Sequence, residues 1–272
     1  MRVKWRSCVD ALLRSATPSP AISGDRMIID SHTHVDEAPV YGWFDPPEAI
    51  IRLLDEAQIE RAVVMTYRDA PGPEEGVIEY VAEAVQRYPD RLIGYARMNP
   101  RYGDAAVELF DRAIRDYKMR GLKLHPVSYV MHPASEPTLA LIRHAALLGV
   151  PTLFHCGDEE FSLPLQIAEA AAAVPEAQII LGHMGGYFHV RDAIRVAKRH
   201  PNLILETSAM PYPHIVKDAV EAIGAERILF ASDGPGCDPL LEVEKVRRAG
   251  LTADQEELLF RGNIERILGH AE

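Results

Sequence analysis

Short apolar segments recur along the chain at a nearly constant spacing, and each is followed by a stretch with helical periodicity. The eight segments begin near residues 27, 61, 91, 121, 151, 178, 203 and 228, so successive starts lie 25 to 34 residues apart. Continuous apolar strands that alternate with helices are typical of a parallel sheet covered by helices. The pattern therefore predicts an α/β fold, with a closed (β/α)8 TIM barrel as the first choice and an open doubly wound sheet as the alternative.

The domain organisation follows from the same spacing. A single barrel of roughly 250 residues would take up nearly all of the 272-residue chain. No linker-like stretch interrupts residues 27–272, which we expect to form one domain. Residues 1–26 lack the apolar centre of a signal peptide, and Met27 stands directly before the first strand. We therefore expect an N-terminal extension that is dispensable for chemistry.

Composition and charge exclude several classes of function. The formal net charge is −11, which argues against nucleic acid or an anionic membrane surface as the main partner. No apolar run approaches the length of a membrane span. The three cysteines, Cys8, Cys156 and Cys237, are widely separated and form no disulfide framework, so we expect a cytoplasmic protein. We expect a small-molecule substrate as the partner, and neither nucleic acid nor a membrane.

Histidines concentrate at the ends of the predicted strands. In a parallel barrel, functional side chains lie where strands end at the carboxyl face. Asp233 ends the eighth strand, and five of the eleven histidines also fall at strand ends: His32, His34, His125, His155 and His183. Chance clustering explains this distribution poorly, so the strand ends are predicted to form one functional site.

The first strand carries a His-x-His pair. Alternate residues of a strand point to the same side, so His32 and His34 are predicted to project together. Two imidazoles on one face could hold a divalent ion, and such an ion lowers the pKa of bound water to about 7. Nitrogen and oxygen ligands suit zinc best, with manganese or iron as alternatives.

Six short motifs carry a resemblance to a known family. The sequence resembles the amidohydrolase superfamily, specifically its amidohydrolase-related branch, from Met27 to the C-terminus. That branch also contains non-oxidative decarboxylases similar to aminocarboxymuconate-semialdehyde decarboxylase, and some lactonases and hydratases. The motifs are DSHTH at 30–34, GLKLHP at 121–126, FHCG at 154–157, GHMGG at 182–186, FASDGP at 230–235 and GNIERIL at 262–268.

The resemblance implies a metal site and two catalytic residues. His32, His34 and Asp233 would bind one ion, and His155 would complete a mononuclear site. His183 would hydrogen-bond the metal-bound water or the substrate. Asp233 would both bind the metal and accept the proton of its water, and would later pass that proton to the leaving group.

A binuclear site is the alternative that the resemblance leaves open. His155 and His183 would then hold a second ion, and Lys123 on the fourth strand would bridge the two ions as a carboxylated lysine. The motif around Lys123 usually belongs to the substrate site in this branch, so one ion is favoured over two.

Four residues are predicted to contact the substrate. Lys123 and His125 share one face of the fourth strand, and the resemblance places them in the substrate site. Arg68 and Arg97 follow the second and third strands, where they are suited to holding a substrate carboxylate.

We therefore expect a metal-dependent hydrolase that uses an activated water on a C–N or C–O bond (amide, ester or lactone) of a small, carboxylated substrate. The first alternative is a metal-dependent, non-oxidative decarboxylase of an aromatic or unsaturated acid. The second alternative is a barrel without catalytic activity that binds a ligand. Barrels of this branch are often dimers or larger, so a homo-oligomer is also expected.

Overall fold

A ring of parallel strands forms the centre of the protein. The computed structural model describes residues 27–38, 42–72 and 76–269, so the expectations for residues 1–26 lie outside the described residues. The strands are β1 (Ile29–His34), β2 (Asp36–Ala38), β3 (Trp43–Asp45), β4 (Arg61–Met65), β5 (Leu92–Gly94), β6 (Ala96–Arg97), β7 (Leu122–Leu124), β8 (Thr152–Phe154), β9 (Ile179–Leu181), β10 (Leu203–Glu206) and β11 (Ile228–Leu229).

The ring contains eight strands and is closed. β4 pairs in parallel with β1 on one side and with β5 on the other. The six strands from β6 to β11 form a second parallel run in which each strand pairs with the next in sequence. Only Tyr95 separates β5 from β6, so these two are halves of one barrel strand. The ring closes where the amide of Ser31 donates to the carbonyl of Phe230 at 3.1 Å and the amide of His34 donates to that of Gly234 at 2.7 Å. The predicted TIM barrel is confirmed, and the open sheet is wrong.

Helices cover the outside of the ring. Several begin with proline at the first helical position, where the missing N–H is not needed and the fixed φ suits a helix. Each buries one face against the strands, as Ile50 and Leu54 do in the first helix. The helices are Pro47–Glu56, Val77–Arg87, Asp104–Arg115, Pro126–Tyr129, Glu136–Leu147, Pro164–Ala173, Val190–Arg199, Pro213–Ile223, Pro239–Arg247, Ala253–Glu257 and Asn263–Gly269.

Apolar side chains fill the barrel at the amino ends of its strands. This inner cluster contains Ile29, Val63, Ile93, Leu153, Ile180, Ile204 and Leu229, among others. Ile264 and Ile267 of the last helix pack into it, and Arg120, just before β7, donates to the carbonyl of Leu268 at 2.5 Å. The polar residues of the barrel interior therefore lie at its carboxyl end. Within the described residues, no helix is long and apolar enough to cross a membrane.

Candidate active site

A cavity of about 540 Å³ opens at the carboxyl ends of the strands. Because consecutive parallel strands end at the same face, residues far apart in sequence meet there. The cavity is lined by all nine residues that the sequence predicted for the site: His32, His34, Arg68, Arg97, Lys123, His125, His155, His183 and Asp233. Tyr67, Asp69, Asn99 and Ser128 also line it.

Three of these residues have the geometry of a metal-binding group. In the part of the chain that the structure describes, the ligand atoms of His32, His183 and Asp233 all lie within 4.8 Å of one another. The resemblance implied His34 and His155 in place of His183. His34 Nε2 lies 3.2 Å from Asp233 Oδ1, and His155 Nδ1 lies 3.1 Å from His183 Nε2, so both border the group.

Glu206 was not predicted from the sequence, and it contacts two of the three metal-binding residues, His32 and His183. Its Oε1 lies 2.9 Å from His32 Nδ1, and the same oxygen accepts from the amide of His183 at 2.9 Å. Its carboxylate also accepts from the amide and hydroxyl of Ser208, whose Oγ lies 2.8 Å from His183 Nδ1. The sequence feature that could have indicated Glu206 is its position at the carboxyl end of the seventh barrel strand, β10.

The protonation states fit a divalent cation. A carboxylate beside His32 Nδ1 favours the tautomer that carries the proton there and leaves Nε2 as an electron-pair donor. Burial lowers the pKa of His32 well below its ordinary value and also lowers the pKa of His34, which keeps both rings neutral. Burial would raise the pKa of Asp233, but the nearby His183, His34 and His32 lower it well below the ordinary range. Neutral imidazole nitrogens beside a carboxylate oxygen are suitable ligands for such an ion.

The backbone at two of these residues is unusual. His183 has φ 58° and Asp233 has φ 62°, in the left-handed region that residues other than glycine seldom adopt. Gly182 precedes His183, and a Cβ at Gly182 would lie 2.6 Å from the carbonyl oxygen of Phe154. The glycine therefore lets β9 approach β8 closely just before the chain turns to present His183. Outliers of this kind are commonly held in place at functional sites.

Lys123 lies against the metal-binding group. Its Nζ is 2.8 Å from His32 Nε2, and its side chain is almost completely buried. Burial lowers the pKa of Lys123 to about 7. The choice between one ion and two, the second bridged by a carboxylated Lys123, stays a prediction.

The other predicted substrate residues are fixed by neighbours. Arg68 Nε donates to Asp36 Oδ1 at 2.8 Å, and Arg97 Nε donates to Asp69 Oδ1 at 2.6 Å. His125 stacks on His155 with a ring distance of 4.1 Å. These contacts orient polar groups toward the cavity before any ligand binds, which lowers the entropy cost of binding.

The order of the motifs and the closed barrel agree with a family assignment. The family model described as "Amidohydrolase" matches residues 29–270. The chain belongs to this family. An enzyme of the amidohydrolase superfamily, as the motifs predicted, is therefore supported.

The relatives include several decarboxylases. Gamma-resorcylate decarboxylase of Rhizobium radiobacter is 24% identical over 208 residues, covering 58% of this chain and 64% of the relative, so the chain spans less than two thirds of that protein. The structure of 5-carboxyvanillate decarboxylase from Sphingomonas paucimobilis has a TM-score of 0.70 at 15% identity, covering 90% of this chain and 99% of that one. A dihydroxybenzoic acid decarboxylase from Polaromonas sp. JS666, with bound manganese and the inhibitor 2-nitroresorcinol, has a TM-score of 0.71 at 18% identity, covering 91% and 98%.

These relatives correct one prediction and support others in part. The prediction of a hydrolase is wrong, because the named relatives are decarboxylases and the decarboxylase alternative agrees with them better. A divalent metal and a small-molecule ligand are supported. The prediction of zinc is not specifically supported, because two structures of relatives contain manganese.

Proposed function

We propose that this protein is a metal-dependent, non-oxidative decarboxylase of an aromatic acid. The observation that carries the proposal is the placement of His32, His183 and Asp233 together in a cavity that is also lined by cationic side chains. An acidic substrate is attracted to such a cavity, and a carboxylate close to the metal-binding group lies beside a residue able to transfer a proton. The decarboxylase relatives support the same reaction.

The residues that would hold the ion are His32, His183 and Asp233, with His34 and His155 bordering them. We propose manganese as the ion, on the strength of the relatives. When bound, the ion supplies positive charge that offsets the substrate's negative charge and stabilises the electrons that remain as CO2 leaves. Glu206 keeps the imidazole of His32 in its tautomer and orientation.

Proton transfer is the task we assign to Asp233, with His183 beside it. The bond between the ring carbon and the carboxylate breaks, CO2 leaves, and the electron pair on the ring carbon takes up one proton. The side chain of Asp233 is 24% exposed and lines the cavity, so it can exchange a proton with water or a substrate hydroxyl and return it to the ring carbon. One proton is consumed for each CO2 released.

The test is CO2 release by the manganese-loaded protein from a panel of hydroxybenzoates that includes 2,6-dihydroxybenzoate and 5-carboxyvanillate. Product would be followed by chromatography alongside headspace CO2. We expect Asp233→Asn to lower the rate by about 100-fold or more. The variant should stay folded, because asparagine tolerates the left-handed φ of 62° at this position. Hydrolysis of an aryl ester or lactone without CO2 release from any acid would contradict the proposal.

A further inference from the structure

Arg97 is a buried cation whose hydrogen-bonding capacity is only partly used. It is 5% exposed and lines the cavity. Its Nε donates to Asp69 Oδ1 at 2.6 Å, but its two terminal nitrogens make no hydrogen bond with the residues that the structure describes. Buried donors without acceptors are costly, so these nitrogens are suited to a ligand that enters the cavity.

The guanidinium is held in one orientation by a short chain of contacts. The second oxygen of Asp69 accepts from the hydroxyl of Ser128 at 2.6 Å, and that hydroxyl also lies 2.8 Å from the carbonyl of His125. The backbone adds a further tie, since the amide of Ala70 donates to the carbonyl of Arg97 at 2.9 Å. Arg97 is therefore oriented in advance, with its terminal edge left for an acceptor.

The other arginine of the cavity is held differently. Arg68 directs both Nε, at 2.8 Å, and a terminal nitrogen, at 2.6 Å, to Oδ1 of Asp36, which is completely buried. Asp36 thus engages the donor edge of Arg68, whereas Asp69 occupies only Nε of Arg97. The terminal edge of Arg97 is the better placed of the two for a substrate acid.

Arg97 lies on the strand next to the one that carries Lys123, and both side chains line the cavity. Arg97 on β6 is the register partner of Lys123 on β7, and neighbouring strands lie about 4.8 Å apart. The Nζ of Lys123 in turn lies 2.8 Å from His32 Nε2. A ligand whose first carboxylate lies at the metal-binding group can therefore present a second acidic group to Arg97 within the same cavity.

We propose that Arg97 binds a second carboxylate, so that the preferred substrate is an aromatic dicarboxylic acid. This inference rests on the proposed function, because the first carboxylate is the one that reacts. A guanidinium with two unused terminal nitrogens in a fixed plane can direct one N–H from each to the two oxygens of a carboxylate, whereas a hydroxyl uses only one of them.

The experiment measures binding, which needs no turnover. Dissociation constants of benzoate, 3-hydroxybenzoate and isophthalate would be measured by isothermal titration with the manganese-loaded protein. We expect isophthalate to bind about tenfold or more tightly than benzoate, as a charge-assisted bidentate pair provides. In Arg97→Gln the two dissociation constants should differ by less than about twofold. Arg97→Lys keeps the charge without the planar fork, so its preference for isophthalate should lie between those of the wild type and Arg97→Gln.

Two further variants separate the role of Arg97 from general charge and folding effects. Arg115→Gln removes the same charge from an exposed position on the outer helix Asp104–Arg115 and should keep the wild-type ratio. Asp69→Asn combined with Arg97→Gln removes both partners of the buried pair, so it tests the ratio without leaving an unpaired carboxylate.

The outcomes distinguish the inference from the proposed function. An unchanged isophthalate-to-benzoate ratio in Arg97→Gln overturns the inference even if CO2 is released from aromatic acids. An Arg97-dependent preference for 3-hydroxybenzoate rather than isophthalate also overturns it. An Arg97-dependent preference for isophthalate without CO2 release from any acid would support the second carboxylate site and contradict the decarboxylase.

Discussion

Glu206 illustrates how one buried side chain determines the position of several others. Its carboxylate is fully buried and accepts hydrogen bonds from His32 Nδ1, the amide of His183 and both donors of Ser208. Imidazoles that bind metals commonly donate their other N–H to a carboxylate, which fixes the ring and raises its basicity. We therefore regard Glu206 as a positioning residue for the metal-binding group.

Glu206→Gln should weaken manganese binding by about 10- to 100-fold, because the amide cannot accept all the donors that the carboxylate accepts. Isothermal titration with manganese chloride would measure this. Glu242→Gln is the matched control, since Glu242 is also a buried carboxylate but pairs with Lys245 rather than with a histidine. That control should lower the free energy of unfolding and leave the manganese affinity unchanged. Equal losses of affinity in the two variants would contradict a positioning role.

Manganese affinity should depend only weakly on pH near neutrality. If two ligand histidines had the ordinary pKa of about 6.5, the fraction of molecules in which both are neutral would fall roughly tenfold between pH 7 and pH 6. Burial lowers the pKa of the metal-binding His32 well below this range, as it lowers the pKa of His34 beside the group, so the ring of His32 stays neutral over the interval and does not contribute to the loss. We expect the dissociation constant to rise less than about threefold from pH 7 to pH 6. A tenfold rise in the same titration would show ordinary histidine pKa values.

At the level of elements, the site depends on how strands end. The ends of β1, β9 and β10 supply His32, Gly182 and Glu206, and the chain after β9 turns through left-handed conformations at His183 and Met184. A Cβ on Gly182 would lie 2.6 Å from the carbonyl oxygen of Phe154 and 3.3 Å from Glu206 Oε1. The absence of a side chain there allows two strands and the positioning carboxylate to come together.

Gly182→Ala should therefore damage both stability and the metal site. The methyl group forces β9 away from β8, and we expect a loss of about 1–3 kcal/mol in the free energy of unfolding, as in other overpacked cores. Urea denaturation and manganese titration would measure the two effects. Gly269→Ala is the control, because a Cβ at Gly269 meets no atom within 4 Å. Wild-type stability in Gly182→Ala would show that the strands can separate without cost.

At the level of the whole molecule, stability and chemistry lie at opposite ends of the barrel. The amino ends of the strands enclose apolar side chains, and the last helix, Asn263–Gly269, packs Ile264 and Ile267 into them. Asn263 fastens this helix through hydrogen bonds of 2.8 Å to the carbonyls of Ala225 and Ile228. The carboxyl ends are left free to hold polar and charged groups.

Ile267→Ala should lower the free energy of unfolding by about 2–5 kcal/mol, since it leaves a void in the packed end of the barrel. Ile267 is 1% exposed, whereas Leu147 is 79% exposed, so Leu147→Ala serves as the control with an expected change within about 0.5 kcal/mol. Urea denaturation measures both. The folded Ile267→Ala protein should bind manganese as wild type does, and a parallel loss of metal affinity would contradict the separation of the two ends.

Much of the site was predictable because its residues follow strands whose apolar pattern is strong. His32 lies in β1, His183 follows β9 by two residues and Asp233 follows β11 by four. All nine predicted residues line the cavity. Glu206 was not predicted, since a glutamate that ends an apolar run has no distinctive spacing in the sequence. The predicted hydrolase was wrong because hydrolysis and decarboxylation share the same metal-binding residues, and the relatives rather than the motifs favour decarboxylation.

The sequence by itself determined the barrel and the set of residues at its carboxyl face. The repeat of apolar strands and amphipathic helices is a local property, and parallel strands bring their ends to one face whatever the loops do. Only the tertiary structure decided which side chains lie together: that His183 joins His32 and Asp233, that Glu206 contacts both histidines, and that two terminal nitrogens of Arg97 make no hydrogen bond with the described residues. Such contacts depend on side-chain rotamers, strand register and left-handed turns, which no local sequence pattern specifies.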